Sequence, residues 1–177
     1  MTEDWLQVLT RGSRFIFHGN AEARAAASTA WGAAFAEEPC RARVLGERAT
    51  LWLGPDEYLL WDGASGADPA TATAAIAAAI EQALGGLPHA LVDISHRQIG
   101  LQVSGAHAAD ILCGGCALDL SIEQFAIGAC TRTAFAKADI VLWRTATDTF
   151  RLEVWRSFTA YVESLLREIA VDFDAAG

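Results

Sequence analysis

The sequence is poor in basic residues, with 13 Lys and Arg against 22 Asp and Glu and a net charge of −9. Nucleic-acid backbones and anionic membrane surfaces are held by clustered Lys and Arg, so neither is an expected partner. Long apolar runs are missing too. The greasiest stretch, Ala70 to Leu84, is mostly alanine, carries Glu81 and falls short of the roughly 18 residues that a membrane span requires. Met1-Thr2-Glu3-Asp4-Trp5 has neither the basic start nor the apolar follow-through of a secretory leader. A soluble cytoplasmic protein is expected. Cysteine is scarce: Cys40, Cys113, Cys116 and Cys130 are too few for a disulfide scaffold at this size and are expected to stay reduced.

What the chain does have is apolar residues, at 53%, enough for a substantial core. A first strand is expected over Arg14–His18, followed by a turn at Gly19-Asn20 and an Ala-rich helix from Ala21 to Phe35. Asn20 is the expected N-cap, Glu22 sits favourably in the first turn, and Pro39 stops the segment. A strand region over Arg41–Leu53, a turn at Gly54-Pro55-Asp56-Glu57 and a strand at Tyr58–Trp61 read as a hairpin. Asp68-Pro69 reads as an N-cap and a first-position proline, Ile76, Ile80 and Leu84 repeat at helical spacing, and Gly85-Gly86 ends that helix.

The second half opens on a long strand candidate, Ala90 to Ser104, in which Ile99, Leu101 and Val103 alternate with Gln98, Gly100 and Gln102. A short helix over Ala106–Leu112 and an irregular stretch to Gly128 follow, then strands at Thr131–Phe135, Asp139–Arg144 and Phe150–Val154. Ser157 is the expected cap of a last helix whose buried stripe is Phe158, Tyr161, Val162, Leu165 and Ile169, with an acidic, frayed tail beyond Val171.

The halves match when aligned. Phe17-His-Gly-Asn-Ala-Glu-Ala23 parallels Val103-Ser-Gly-Ala-His-Ala-Ala109, and Asp56-Glu-Tyr-Leu-Leu60 parallels Asp148-Thr-Phe-Arg-Leu152. The expected fold is α+β: pseudo-duplicated, mostly antiparallel sheets with outer helices. It forms a single domain of two similar halves, near residues 13–86 and 90–171.

No catalytic, cofactor-binding or metal site emerges from the residues. Cys113-Gly-Gly-Cys116 has the spacing of a redox dithiol or half a zinc site, but it lies near the end of a short helix with only His107 close by. It reads as two small cysteines beside a glycine turn. Asp93-Ile-Ser-His-Arg97 holds Asp, Ser and His. On a regular strand Asp93, Ser95 and Arg97 would share one face and His96 the other, so no relay can form. The expected reading is a polar strand edge, with Asp93 and Arg97 paired locally or across an interface. Gly63-Ala-Ser-Gly66 lacks both the P-loop lysine and the dinucleotide spacing.

Six tryptophans are many for this length. Trp and Arg are enriched where proteins meet, and Trp143-Arg144 and Trp155-Arg156 place one beside the other on a single hairpin. Trp155 would face away from Phe150, Leu152 and Val154 and so be exposed. Arg97, Trp143, Arg144, Trp155 and Arg156 are the candidate interface residues.

From about Leu51 to Leu166 the chain resembles the gamma subunit family of heterotetrameric sarcosine oxidase. The resemblance is carried by Trp52-Leu-Gly-Pro-Asp-Glu-Tyr-Leu-Leu60, Leu91-Val-Asp-Ile-Ser-His-Arg-Gln98, Val103-Ser-Gly105 and Gly115-Cys-Ala-Leu-Asp-Leu120. Cys130-Thr-Arg-Thr133, Ile140-Val-Leu-Trp-Arg144 and Phe150-Arg-Leu-Glu-Val-Trp-Arg156 extend it. The resemblance implies a fold similar to the folate-binding domain of the glycine-cleavage T-protein. It also implies an accessory role, with alpha, beta and delta subunits as partners, in a flavoenzyme that demethylates sarcosine to glycine. That enzyme makes hydrogen peroxide and passes the one-carbon unit to tetrahydrofolate. FAD, FMN, NAD and tetrahydrofolate are implied for the larger subunits and zinc for the smallest, with none in this chain. The alternative is a free-standing folate or one-carbon-binding module of the T-protein type. The Lys-Gly-Cys-aromatic-x-Gly-Gln-Glu signature of folate-binding relatives is missing from this sequence, which argues against it.

Overall fold

A computed structural model describes residues 5–9, 12–64 and 69–174. They form two compact units, one within residues 12–96 and the other made of residues 5–9 with 97–174. The first contains β2 (Ser13–Gly19), α1 (Ala21–Trp31), β3 (Ala42–Leu45), β4 (Arg48–Gly54), β5 (Glu57–Asp62), α2 (Pro69–Leu84) and β6 (His89–Asp93). The second contains β1 (Leu6–Leu9), β7 (Gln98–Ser104), α3 (Ala108–Cys113), β8 (Cys130–Phe135), β9 (Ala138–Ala146), β10 (Thr149–Trp155) and α4 (Thr159–Asp174).

The two five-stranded antiparallel sheets have matching orders, β3-β4-β5-β2-β6 and β8-β9-β10-β7-β1. Each has its own core on the face that carries its helices. Phe15, Phe17, Tyr58 and Leu60 pack with Ala23, Ala27 and Trp31 of α1 and Ile80 and Leu84 of α2. Leu101, Val103, Leu142, Phe150, Leu152 and Val154 pack with Ile111 and Leu112 of α3 and Val162, Leu166 and Ala170 of α4. The period-2 rows read in β7 and β10 therefore point inward as expected. The duplication reaches single hydrogen bonds: Gly19 N–H donates to the Asp56 carbonyl at 3.0 Å, and Gly105 N–H to the Asp148 carbonyl at 2.9 Å.

The glycines at these equivalent positions are needed for different reasons. A Cβ on Gly19 would sit 2.7 Å from the Phe17 ring and 2.9 Å from the Ala23 methyl. Gly105 has open space around it but holds φ +115°, a conformation L residues rarely adopt.

The caps explain the helix limits. The Asn20 side chain accepts from Ala23 N–H at 3.0 Å, and Glu22 lies in the first turn. The stop is Gly32, at φ 80° with its N–H on the Ser28 carbonyl, so α1 ends at Trp31 instead of running to Phe35 and Pro39. Arg48 secures that end, donating to the Trp31 carbonyl at 2.5 Å and to Asp62 at 2.9 Å. The second long helix begins at Pro69, and the expected cap Asp68 lies outside the described residues. Gly85, at φ 56°, follows its last turn.

Several expected elements divide or move. Arg41–Leu53 becomes β3 and β4, because Gly46 at φ 59° turns the chain. Ala90–Ser104 becomes β6 and β7, which pair in different sheets. The break comes at Asp93, whose carboxylate accepts from Ser95 N–H at 2.8 Å and pins an Asx turn. The strand Leu6–Leu9, not anticipated, pairs antiparallel to β7 with Leu6 opposite Val103. The last helix opens with a 3-10 turn over Arg156–Phe158, so Ser157 lies inside that turn and does not cap. Val162, Leu166 and Ala170 form the buried line of α4, Leu165 and Ile169 of the expected stripe pack against the same core, and Phe158 and Tyr161 are exposed. The helix continues through Asp174, past the point where fraying was expected. Among the described residues no helix is long and apolar enough to cross a membrane.

Candidate functional site

Three of the five candidate interface residues meet at one place. Strand alternation buries Phe150, Leu152 and Val154 and turns Trp155 outward, opposite Gln98 in the β7 register. Arg97 immediately precedes β7. Its carbonyl accepts from Arg156 N–H at 2.8 Å, and its guanidinium lies 4.6 Å from the centre of the Trp155 ring. Trp155 remains 43% exposed, with Phe158 at 40% and Tyr161 at 38% close by in sequence. Phe158 and Tyr161 meet edge to face, with centroids 6.5 Å apart. An exposed tryptophan under a cation and an exposed pair of rings thus follow each other in sequence, and Trp, Tyr and Arg are the residue types enriched in protein–protein hot spots. Sequence reasoning placed Phe158 and Tyr161 in the core. The signal that could have excluded them is the tight turn after the strand, which breaks the helical phase.

The other two candidates, Trp143 and Arg144, lie inside the fold of the isolated chain. Trp143 is 6% exposed and Arg144 4%. The Arg144 guanidinium donates at 2.9 Å to the carbonyls of Leu120 and Phe125 and, through Nε, at 3.0 Å to that of Thr147. It also lies 4.8 Å from the centre of the Phe150 ring. Arg144 thus clasps the irregular 114–129 segment onto the sheet. Gly115 in that segment fits because the Phe135 ring would lie 2.5 Å from any Cβ there, while its carbonyl accepts from Ala136 N–H at 2.7 Å.

The Ser95 hydroxyl is held by the backbone of Arg14, accepting from its N–H at 2.9 Å and donating to its carbonyl at 3.4 Å. The Asp93 carboxylate accepts from the Ser95 amide, and the Arg97 guanidinium lies over the Trp155 ring. All four cysteines are free thiols, Cys113 exposed and Cys116 buried. The Cys113 sulfur faces the Leu118 carbonyl at 3.8 Å and that of Cys116 faces the Thr133 hydroxyl at 3.7 Å. Among the described residues no three His, Cys, Asp or Glu side chains are grouped to hold a metal ion.

Comparison with known proteins agrees with this architecture. The family described as "Sarcosine oxidase, gamma subunit family" matches residues 18–172. The sarcosine oxidase subunit gamma of Corynebacterium sp. (strain U-96) is 33% identical over 128 residues, covering 72% of this chain and 58% of that protein. The subunit gamma of an Arthrobacter species is 30% identical over 125 residues, again covering 58% of the relative. The matched part of the chain thus spans less than two thirds of these relatives' length. Among solved structures, heterotetrameric sarcosine oxidase from Corynebacterium sp. U-96, in complex with pyrrole 2-carboxylate, contains a chain that superposes with a TM-score of 0.85. The identity is 26%, and the match covers 95% of this chain and 84% of that one. The glycine cleavage system aminomethyltransferase T from Bartonella henselae superposes at 0.63 with 14% identity over 91% of this chain and 44% of that one, a likeness of fold alone. On the matched span and the identities together, this chain belongs to the sarcosine oxidase gamma subunit family.

Proposed function

We propose that this chain is the non-catalytic gamma subunit of a heterotetrameric sarcosine oxidase and braces its alpha, beta and delta subunits in the cytoplasm. The assembled enzyme oxidises the N-methyl group of sarcosine, reduces oxygen to hydrogen peroxide, releases glycine and passes the carbon to tetrahydrofolate. FAD, FMN, NAD and tetrahydrofolate belong to the partner chains, and no chemical step falls to residues of this one. The observation that carries the reading is the exposed Trp155 under Arg97, followed in sequence by the exposed Phe158 and Tyr161. A tryptophan ring already stacked under a cation has less side-chain freedom to lose on docking. The family membership and the named relatives support the same reading. A free-standing folate carrier is not favoured, since the likeness to aminomethyltransferase reaches only the fold.

Co-expression with the alpha, beta and delta chains from the same source tests this. A stable four-chain complex is expected, with flavin content and turnover that fall when this chain is omitted. A three-chain complex with normal flavin and turnover would remove the proposal.

A further inference from the structure

A half-open cleft of about 580 Å³ lies in the first unit, between one face of α1 and the β4–β5 hairpin. Its size is that of small-molecule sites, which run to roughly 300–1,000 Å³. The space exists because α1 presents Ala21, Ala25 and Ser28 at helical spacing, where larger side chains would fill it. Phe35, Trp52 and Tyr58 give it an aromatic lining, Phe35 and Tyr58 meeting edge to face at 4.9 Å. Arg24, Glu37 and Asp56 supply the charges.

The polar groups there are mostly acceptors. Arg24 spends Nη1 on the Gly19 carbonyl and the Asp56 carboxylate, and its guanidinium lies 5.7 Å from the centre of the Tyr58 ring. The aromatic lining thus already attracts the chain's own cation. The Ser28 hydroxyl donates its hydrogen to the Ala25 carbonyl at 2.9 Å and keeps its lone pairs. Tyr58 lines the cleft and is only 2% exposed. Desolvation holds the Tyr58 pKa above its ordinary value, with Arg24 opposing and Asp56 and Glu37 adding to the rise, so the phenol is neutral. One guanidinium against two carboxylates leaves the cleft with an excess of negative charge.

We propose that this cleft binds a small organic cation, an aryl- or alkylammonium whose apolar body lies on Phe35, Trp52 and Tyr58 and whose charge faces Glu37 and Asp56. Ring faces and carboxylates act together on such a ligand, because both favour positive charge and neither requires a donor from it beyond its own N–H groups. The proposal is independent of assembly and stands or falls on this unit alone.

Calorimetric titration of the full chain at low salt with benzylammonium, benzyl alcohol and benzoate tests it. Benzylammonium is expected to bind roughly tenfold more tightly than benzyl alcohol, and benzoate more weakly than either. Glu37→Gln is expected to weaken benzylammonium about threefold to tenfold while leaving benzyl alcohol unchanged. Ala25→Leu, at an exposed position where leucine is a good helix former, is expected to fill the cleft and abolish binding of both. No binding of benzylammonium at millimolar concentration, equal affinity for the three probes, or tight binding that survives a folded Ala25→Leu protein would each overturn the proposal. Should Ala25→Leu fail to fold, the response to Glu37→Gln decides alone.

Discussion

The guanidinium of Arg97 lies 4.6 Å from the centre of the Trp155 ring, and the backbones beneath them are tied by the Arg156 N–H on the Arg97 carbonyl. Each group restricts the other, so the exposed ring is presented in one orientation. Trp155→Ala is therefore expected to weaken assembly by about 2 kcal/mol or more, the loss typical of a central aromatic anchor. The fold of the free chain should change by less than about 1 kcal/mol, since the ring is nearly half exposed. Size-exclusion of the co-expressed complex, alongside thermal melting of the isolated chain, separates the two. Equal complex yield from wild type and variant would show that docking occurs elsewhere.

Arg144 should behave in the opposite way. Its removal orphans the carbonyls of Leu120, Phe125 and Thr147 and frees the 114–129 segment. Arg144→Ala is expected to cost about 3 kcal/mol or more in urea unfolding, with the loss appearing in the isolated chain. Arg144→Lys recovers little, because one ammonium cannot span the fork of acceptors. A variant of normal stability that fails only in assembly would return Arg144 to the interface.

The two ring nitrogens of His89 face the Leu87 carbonyl at 2.7 Å and the Glu81 carboxylate at 2.8 Å. Only the imidazolium can donate to both. The Leu87 carbonyl, with Glu81 adding and burial opposing, raises the pKa above 6.5. A raised folded value means that the stabilisation is full below the unfolded pKa and is lost as pH rises through the folded one. The contribution of His89 to unfolding free energy is thus expected to decline as pH rises through the unfolded value of about 6.5 and the higher folded one, and the difference between wild type and His89→Gln should shrink over the same range. A difference that stays constant or grows would contradict the linkage.

Gly19→Ala and Gly105→Ala are each expected to destabilise by about 1–3 kcal/mol, for unlike reasons. The first collides with Phe17, so Gly19→Ala combined with Phe17→Leu should lose less than the sum of the single changes. The second strains the backbone at φ +115° and has no neighbour to trim. A double-mutant cycle on Gly19 and Phe17, with Gly105 and Phe17 as control, reads the contrast. Additivity in the first cycle would refute the steric account.

Local chemistry was the legible part of this fold. Asn20 as cap, the Ile99-Leu101-Val103 row and the internal repeat could all be read because each depends on neighbours in sequence or on a fixed period. The partition of Ala90–Ser104 between two sheets could not, since it turns on one Asp93–Ser95 hydrogen bond within a run of strand-forming residues. Leu6–Leu9 is too short to signal a strand without the β7 edge it completes. Of the candidate interface residues, Trp155 is exposed as strand alternation requires, whereas the burial of Arg144 could not be read because its partners are carbonyls 19 and 24 residues away. Backbone acceptors leave no mark in composition.

The edge strand β1 has a further consequence, for synthesis. Leu6 must find Val103, and at translation rates of about 5–20 residues per second the ribosome supplies that partner several seconds or more after Leu6 emerges. During that wait the segment Leu6-Gln-Val-Leu9 lacks the β7 edge it pairs with, while residues 12–96 already hold every strand of their own sheet. The early half can close at once, and the late half has to recover its last strand from the start of the chain. A nascent protein stalled midway would therefore carry one finished sheet and one sticky thread, the kind of intermediate on which chaperones act.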